Sequence, residues 1–210
     1  MSVLEVEARL ARIAATQRGA FTREQAARAG LSASQVQRRL DAGAWVRVHP
    51  RVYRHASAPP NRALVLTAAL LWAGADAVLS HTTAAAMWRV AAVAEETIEL
   101  IVPRTRAPRT PGVVVHRVVH LDRLDVTTTA GGLEVTTPLR TMVDLAAVVP
   151  AAELAAILDR ALGRGLVTRR ALTARLETPG TRGRPGTARL RTLLGTVGSA
   201  SEGASARMAG

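Results

Sequence analysis

The chain has 210 residues, no cysteine and a formal net charge of +12. No disulfide framework, thiolate chemistry or metal site is therefore expected, and the length allows one or two domains with proper cores. All 28 basic residues are Arg, a bias typical of GC-rich coding, but an excess this large still points to a polyanionic partner.

Glu5, Glu7, Arg9 and Arg12 in the first turns argue against a signal peptide. A first helix is predicted over Val3 to Gln17, with Val6, Leu10 and Ile13 on one face. Two capping-box patterns follow, Thr22-Arg-Glu-Gln25 and Ser32-Ala-Ser-Gln35. In each, the hydroxyl can accept from the N–H three residues on, while the Gln reaches back to the cap. They open helices ending near Ala29 and Ala42, with Gly30 and Gly43 as stops. Leu31 and Val36 occupy the two positions of a hydrophobic staple. Ala44 to Val48 and Val52 to Arg54 are short extended runs joined at His49-Pro50-Arg51. Helix, turn, helix, hairpin is the order of a winged helix-turn-helix, a duplex DNA reader.

At 100° per residue, the helix opened by Ser32 buries Ala33, Val36 and Leu40 and turns Ser34, Gln35 and Arg38 outward. Arg39 and Asp41 lie on its flanks. Ser, Gln and Arg suit base edges, and the N-terminal part of a recognition helix enters the groove, so Ser34, Gln35 and Arg38 are the candidate base contacts. Arg47 and Arg51 on the wing, with Arg23 and Arg28 on the preceding helix, suit phosphate. Arg39 completes the candidate DNA-binding set. A protein-binding winged helix would present the same polar face.

Ala56 to Pro60 is a stiff linker that separates a predicted DNA-binding domain, 1–56, from an α+β domain, 61–195. Residues 62–73 read as an apolar helix. The greasy run Ala63 to Leu79, broken by Thr67 and Asp76, is too short for a comfortable membrane span, so a cytoplasmic protein with no membrane association is expected. A short helix is predicted over 80–88, then strands at 97–102, 112–116 and 133–136. Thr137-Pro138 opens a helix to about Val148. Leu154, Leu158, Ala161 and Leu162 mark another helix face, and Thr168 caps a helix to about Leu176. Pro179 to Gly186 reads as a flexible joint, 187–194 as a last helix, and 196–210 as a disordered tail. The fold class is α+β: an N-terminal winged helix-turn-helix, then a mixed domain with a small sheet and several helices.

No catalytic residue, cofactor or metal ligand is expected. His81 stands without Cys, without a His-x-x-x-His pattern and without an acidic partner at fixed spacing, so it reads as a structural histidine. Glu95, Glu96 and Glu99 form the acidic cluster, but a nuclease centre of the acidic-pair-plus-Lys type fails in a chain with no Lys. Arg140 and Asp144 read as a surface or helix-end ion pair of small worth. Arg182-Gly-Arg-Pro185 matches a minor-groove hook core, but four residues in an Arg-rich chain are a weak signal and a plain inter-helix linker is the preferred reading.

The segment Gly19 to Ser32, with Arg38-Arg39-Leu40 and Trp45 to Tyr53, resembles the winged-helix domain of AbiEi-type antitoxins of type IV toxin–antitoxin systems. Leu79 to Trp88, Val113 to Arg117 and Val135 to Ala146 are similar to the domain that follows in actinobacterial relatives. The resemblance covers about residues 5 to 195. It implies a non-enzymatic antitoxin and autorepressor that binds inverted repeats in double-stranded DNA at its own promoter, with two protomers paired as a homodimer. It also implies a functional partner, a nucleotidyltransferase-like toxin, opposed without a stable complex.

Two departures stand out. Relatives often carry Arg-Gly at the wing tip. Here Pro50 removes a backbone donor and Arg51 is disfavoured at positive φ, so a reshaped wing turn is expected. Many relatives also continue into a C-terminal endonuclease-like domain resembling very-short-patch repair nucleases. Ser199 to Gly210 stands where that domain would begin, which implies a short form or a truncated gene. The alternatives are thus a DNA-targeting part of such a protein without its nuclease, or a winged-helix module that binds protein.

Overall fold

The computed structural model describes residues 3–92, 97–179 and 181–195. The predicted tail at 196–210 and the acidic pair Glu95 and Glu96 lie outside them. The chain is α+β. The elements begin with α1 (Val3–Thr16), β1 (Ala20–Thr22), α2 (Arg23–Ala29), α3 (Ala33–Asp41), β2 (Trp45–His49) and β3 (Val52–His55). Then come α4 (Arg62–Ala73), β4 (Val78–Leu79), α5 (His81–Met87), β5 (Ile98–Pro103) and β6 (Val113–Val118). A 3-10 turn (Arg123–Asp125) leads to β7 (Val126–Thr128), β8 (Glu134–Thr136), α6 (Pro138–Val148), α7 (Ala151–Gly163) and α8 (Arg169–Glu177). Residues 187–195 are helical as well. One sheet has three strands in the order β1-β3-β2; the other has five in the order β6-β5-β4-β8-β7. The described residues form two compact units, one drawn from the spans Met1–Val78 and Leu100–Val119 and one from those within Leu79–Glu99 and 120–195.

In the first unit, Val6, Leu10 and Ala14 run down one face of α1 and are buried with Ala26, Ala29, Leu31 and Val36. The only Phe and the only Tyr of the chain join them. Phe21 meets Trp45 edge-on at 4.7 Å and Tyr53 at 6.0 Å. Such aromatic pairs add specific geometry to their burial. β1 escapes sequence reading because three residues carry no periodic signal. It pairs antiparallel with β3, Phe21 opposite Tyr53, and so delivers the Phe ring to the core. Arg18 Nη1 donates to Thr67 Oγ1 at 3.1 Å, and Ala20, Val52 and Ala68 pack beside Val48, Leu71 and Trp72, so α4 packs onto the winged-helix sheet.

In the second unit, α6, α7, α8 and the helix at 187–195 bury Met142, Leu145, Leu154, Ile157, Leu158, Leu172 and Leu190 together. β4 runs parallel to β8, Leu79 opposite Val135, and β7 runs antiparallel to β8. His81 is buried, with Nδ1 against Ser80 Oγ at 2.9 Å and φ at +48°.

Two sequence expectations change here. Arg140 and Asp144 are not a surface pair: their side chains are 1% and 7% exposed. Arg140 Nε donates to Asp144 Oδ1 at 2.8 Å and Nη1 to Asp125 Oδ2 at 2.9 Å, while Arg175 Nη2 reaches both Asp125 oxygens at 2.5 and 2.6 Å. Sequence spacing showed the i, i+4 pair but not Asp125 or the helices that cover it. The second concerns 181–186 of the predicted joint, which form a run of hydrogen-bonded turns. Thr181 and Arg182 both donate their N–H to Thr178 O at 2.9 Å. Gly186 has φ +82°, and a Cβ there would lie 2.0 Å from Ala146 O, so only glycine lets the turn close onto α6. Arg182 pairs with Glu177 at 3.0 Å, and Arg184 is half-buried. Arg182 and Arg191 hold the Glu177 carboxyl below its usual range.

Candidate nucleic-acid interface

Both capping boxes form. Thr22 Oγ1 and Ser32 Oγ accept from the N–H of Gln25 and Gln35 at 3.2 Å, and each Gln Oε1 accepts from its cap N–H at 2.8 Å. Gly30 ends α2 in the left-handed region at φ 112°, and Leu31 N–H returns to Ala26 O at 3.0 Å. A helix end closed this way satisfies carbonyls that would otherwise be orphaned. Leu31 and Val36 are 5% and 4% exposed in one core, as a staple requires. The three-residue turn between α2 and α3 follows directly.

α3 presents Ser34 and Arg38 to solvent. Ser34 Oγ rests 2.9 Å from Ser32 Oγ. Gln35 is half-buried with its carbonyl in the capping box, so its amide NH2 is the group left to face outward. Val36 is buried and Leu40 half-buried, but Ala33 is exposed, against the helical-wheel expectation. Leu31, just before the cap, holds the core position at that end.

Arg39 is engaged inside the domain. Its guanidinium binds Glu7 of α1, donates to Gln35 O at 3.0 Å and lies 5.4 Å from the centroid of the Trp45 ring. These contacts tie α3 to α1 and β2. The side chains of Arg23, Arg28, Arg38, Arg47 and Arg51 are exposed and have no hydrogen bond or ion pair among the described residues. Each therefore keeps its full donor set for an external anion.

The wing is β2 and β3, with His49 opposite Val52 and a shift of register between Arg47 and His49. Pro50 and Arg51 make the turn, and Arg51 takes φ +63°. Proline fixes φ near −65°, so the primed hairpin turns, which need positive φ at the first central residue, are closed to it. The left-handed conformation falls on Arg51 instead. Arg51 O accepts from Arg23 N–H at 2.8 Å, which anchors the wing tip to the start of α2.

A groove of about 460 Å³ runs beside this tip, lined by Thr22, Glu24, Pro50, Arg51, Val52, Leu71, Trp72, Gly74 and Arg106. The sequence reading missed Arg106. It lies more than fifty residues from the wing in sequence, and no local motif announces it.

The family match agrees with this geometry. Residues 8–55 match a family described as a transcriptional regulator, AbiEi antitoxin. Residues 73–196 match the AbiEi antitoxin C-terminal domain. The chain belongs to the AbiEi antitoxin family. The AbiEi fold is also similar to the crystal structure of the RV2827C protein from Mycobacterium tuberculosis, with a TM-score of 0.61 at 19% identity over 90% of this chain and 76% of that one. Among proteins of curated function, none matches significantly. No helix of this AbiEi chain is long and apolar enough to cross a membrane, among the described residues.

Charge is unevenly shared between the two units. Fifteen arginines against five acidic residues give the winged-helix unit a formal +10, while thirteen arginines against eleven acidic residues leave the other at +2.

Proposed function

We propose that this antitoxin-family chain is a sequence-specific DNA-binding autorepressor of a type IV toxin–antitoxin operon, acting by binding and not by catalysis. In this reading α3 enters the major groove with Ser34, the Gln35 amide and Arg38 at base edges. Arg23, Arg28, Arg47 and Arg51 hold phosphates. Arg39 acts through Trp45 and Glu7 as a positioning residue. Two protomers pair over inverted half-sites, and the functional counterpart is a nucleotidyltransferase-like toxin opposed without a stable complex. The observation that carries the reading is the formal +10 gathered in the unit that holds the helix-turn-helix, with Arg23, Arg28, Arg38, Arg47 and Arg51 exposed and unpaired among the described residues.

The test is selection of bound duplexes from a random pool at two salt concentrations, with the parent and Arg38→Ala. The parent should enrich an inverted repeat. Arg38→Ala should lose about 1–3 kcal/mol on that site and relax the preference at one base. Loss of affinity spread evenly over all sequences would move Arg38 to the phosphates. A parent that enriches nothing at low salt would leave the fold as a protein-binding module.

A further inference from the structure

Leu100–Val119, the β5–β6 hairpin, contains Arg104, Arg106, Arg109 and Arg117 and no acidic residue, so it supplies four of the positive charges of the winged-helix unit. The recognition-helix reading uses none of them. Arg104, Arg109 and Arg117 are exposed, and their guanidiniums have no hydrogen bond or ion pair among the described residues.

The two-residue repeat of β6 places Val113, Val115 and Arg117 on one face. With Ala107, Pro108, Arg109 and Thr110 they line a shallow cavity of about 450 Å³. Its floor, Pro108, Val113 and Val115, is half-buried and apolar. Two guanidiniums and the Thr110 hydroxyl stand around that floor. A greasy floor beside forked cations matches the sugar–phosphate backbone of a nucleic acid, where apolar deoxyribose alternates with anionic phosphate.

The loop of the hairpin is tied to the end of α4, where Arg106 also pairs with Asp76 at 3.9 Å. Arg106 Nη1 donates to Ala73 O at 3.1 Å, at the end of α4. A Cβ on Gly74, which has φ +104°, would come within 1.8 Å of that same nitrogen. Arg106 then shares the groove of about 460 Å³ with Pro50 and Arg51 of the wing tip.

We propose that the β5–β6 hairpin is a second phosphate-binding arm, which holds the duplex outside the segment read by α3. It rests on the reading of the chain as a DNA-binding regulator. β6 is an edge strand with Val114 exposed, so a second copy is the other conceivable occupant. Like charges on the two hairpins would oppose that pairing, whereas they favour a polyanion.

Anisotropy with the full chain tests this, on the selected duplex and on the same duplex lengthened by about one helical turn at each end, across a range of salt. Lengthening should tighten binding by the parent and steepen its salt dependence. Arg109→Gln with Arg117→Gln should abolish that gain and reduce the slope of log K against log salt by about 1.8, two contacts at about 0.9 each. Arg109→Lys with Arg117→Lys should restore most of it. Should the Gln pair lower the melting temperature, Arg109→Gln alone, in the loop, should still reduce the slope by about 0.9. A Gln pair that keeps the parent's slope and length dependence overturns the proposal. So does one that leaves DNA binding intact but changes the sedimentation coefficient, which would make the surface a contact between copies. Parent protein that binds no duplex at low salt sinks the regulator reading itself, a result distinct from a parent that binds while the hairpin variants match it.

Discussion

His49 ends β2 with its ring 5.6 Å from that of Trp72, and its buried Nε2 has no hydrogen-bond partner among the described residues. Burial lowers its pKa below the usual 6.5. A charged imidazolium here would be an unpaired buried cation, so the folded state prefers the neutral ring and the unfolded chain takes up the proton first. The stabilisation is thus fully present above pH 6.5 and is lost as pH falls from there through the folded-state value. Thermal melts between about pH 5 and 8 should show the winged-helix unit weakening toward the acid end, each unit of pKa shift corresponding to about 1.4 kcal/mol. His49→Phe should flatten that part of the profile. A parent and variant with superimposable pH dependence would show that His49 does not cause it. Arg39 makes a different point at the same scale. Its place on the helical wheel suits a nucleic-acid contact, yet Glu7 and Trp45 engage it within the domain, and neither neighbour is visible from α3 alone.

The wing turn is where local sequence and required geometry disagree. Arg51 adopts φ +63° because Pro50 occupies the first central position of the turn. A non-glycine residue in that region costs about 1–2 kcal/mol, partly offset for glycine by its larger loss of freedom on folding. Arg51→Gly should therefore raise stability by about 0.5–1 kcal/mol in chemical denaturation. The same variant should flatten the salt dependence of DNA binding by about 0.9, since one phosphate contact is removed. Greater stability with an unchanged salt slope would leave Arg51 as a turn residue alone. By contrast α2 and α3 show agreement at every level. Cap, staple, glycine stop and apolar spacing all name the same boundaries, and the observed helices start directly after Thr22 and Ser32.

Across the whole molecule, charge and burial divide the labour. The winged-helix unit holds most of the excess positive charge, whereas the arginines of the other unit include members of a buried network. Burial pushes the Asp144 carboxyl up against the pull of Arg140, and Asp144 Oδ2 has no hydrogen-bond partner among the described residues. Burial opposes the Arg140 charge too, but Asp144 and Asp125 outweigh it. Removing one member of such a set leaves an uncompensated charge, so Arg140→Met should destabilise the second unit by about 3–5 kcal/mol near neutral pH. With a folded pKa above the unfolded one, Asp144 favours folding only when protonated. The deficit of Arg140→Met should therefore shrink as pH falls toward the ordinary carboxylate range, which denaturation at several pH values would measure. A deficit independent of pH would assign the loss to packing.

Sequence by itself determined the helix-turn-helix, the hairpin, the α+β class and the basic character, because each rests on short-range rules. Caps act over three residues, apolar stripes over one or two turns, and strand alternation over a few positions. Tertiary structure decided the rest. It made β1 a strand by pairing it with β3, turned an apparent surface ion pair into a buried one through Asp125 and Arg175, and engaged Arg39, on the flank of α3, with Glu7 of α1. It also brought Arg106 to the groove beside the wing. All of these depend on contacts between residues far apart in the chain, which enter the energy only once the loops between them have closed.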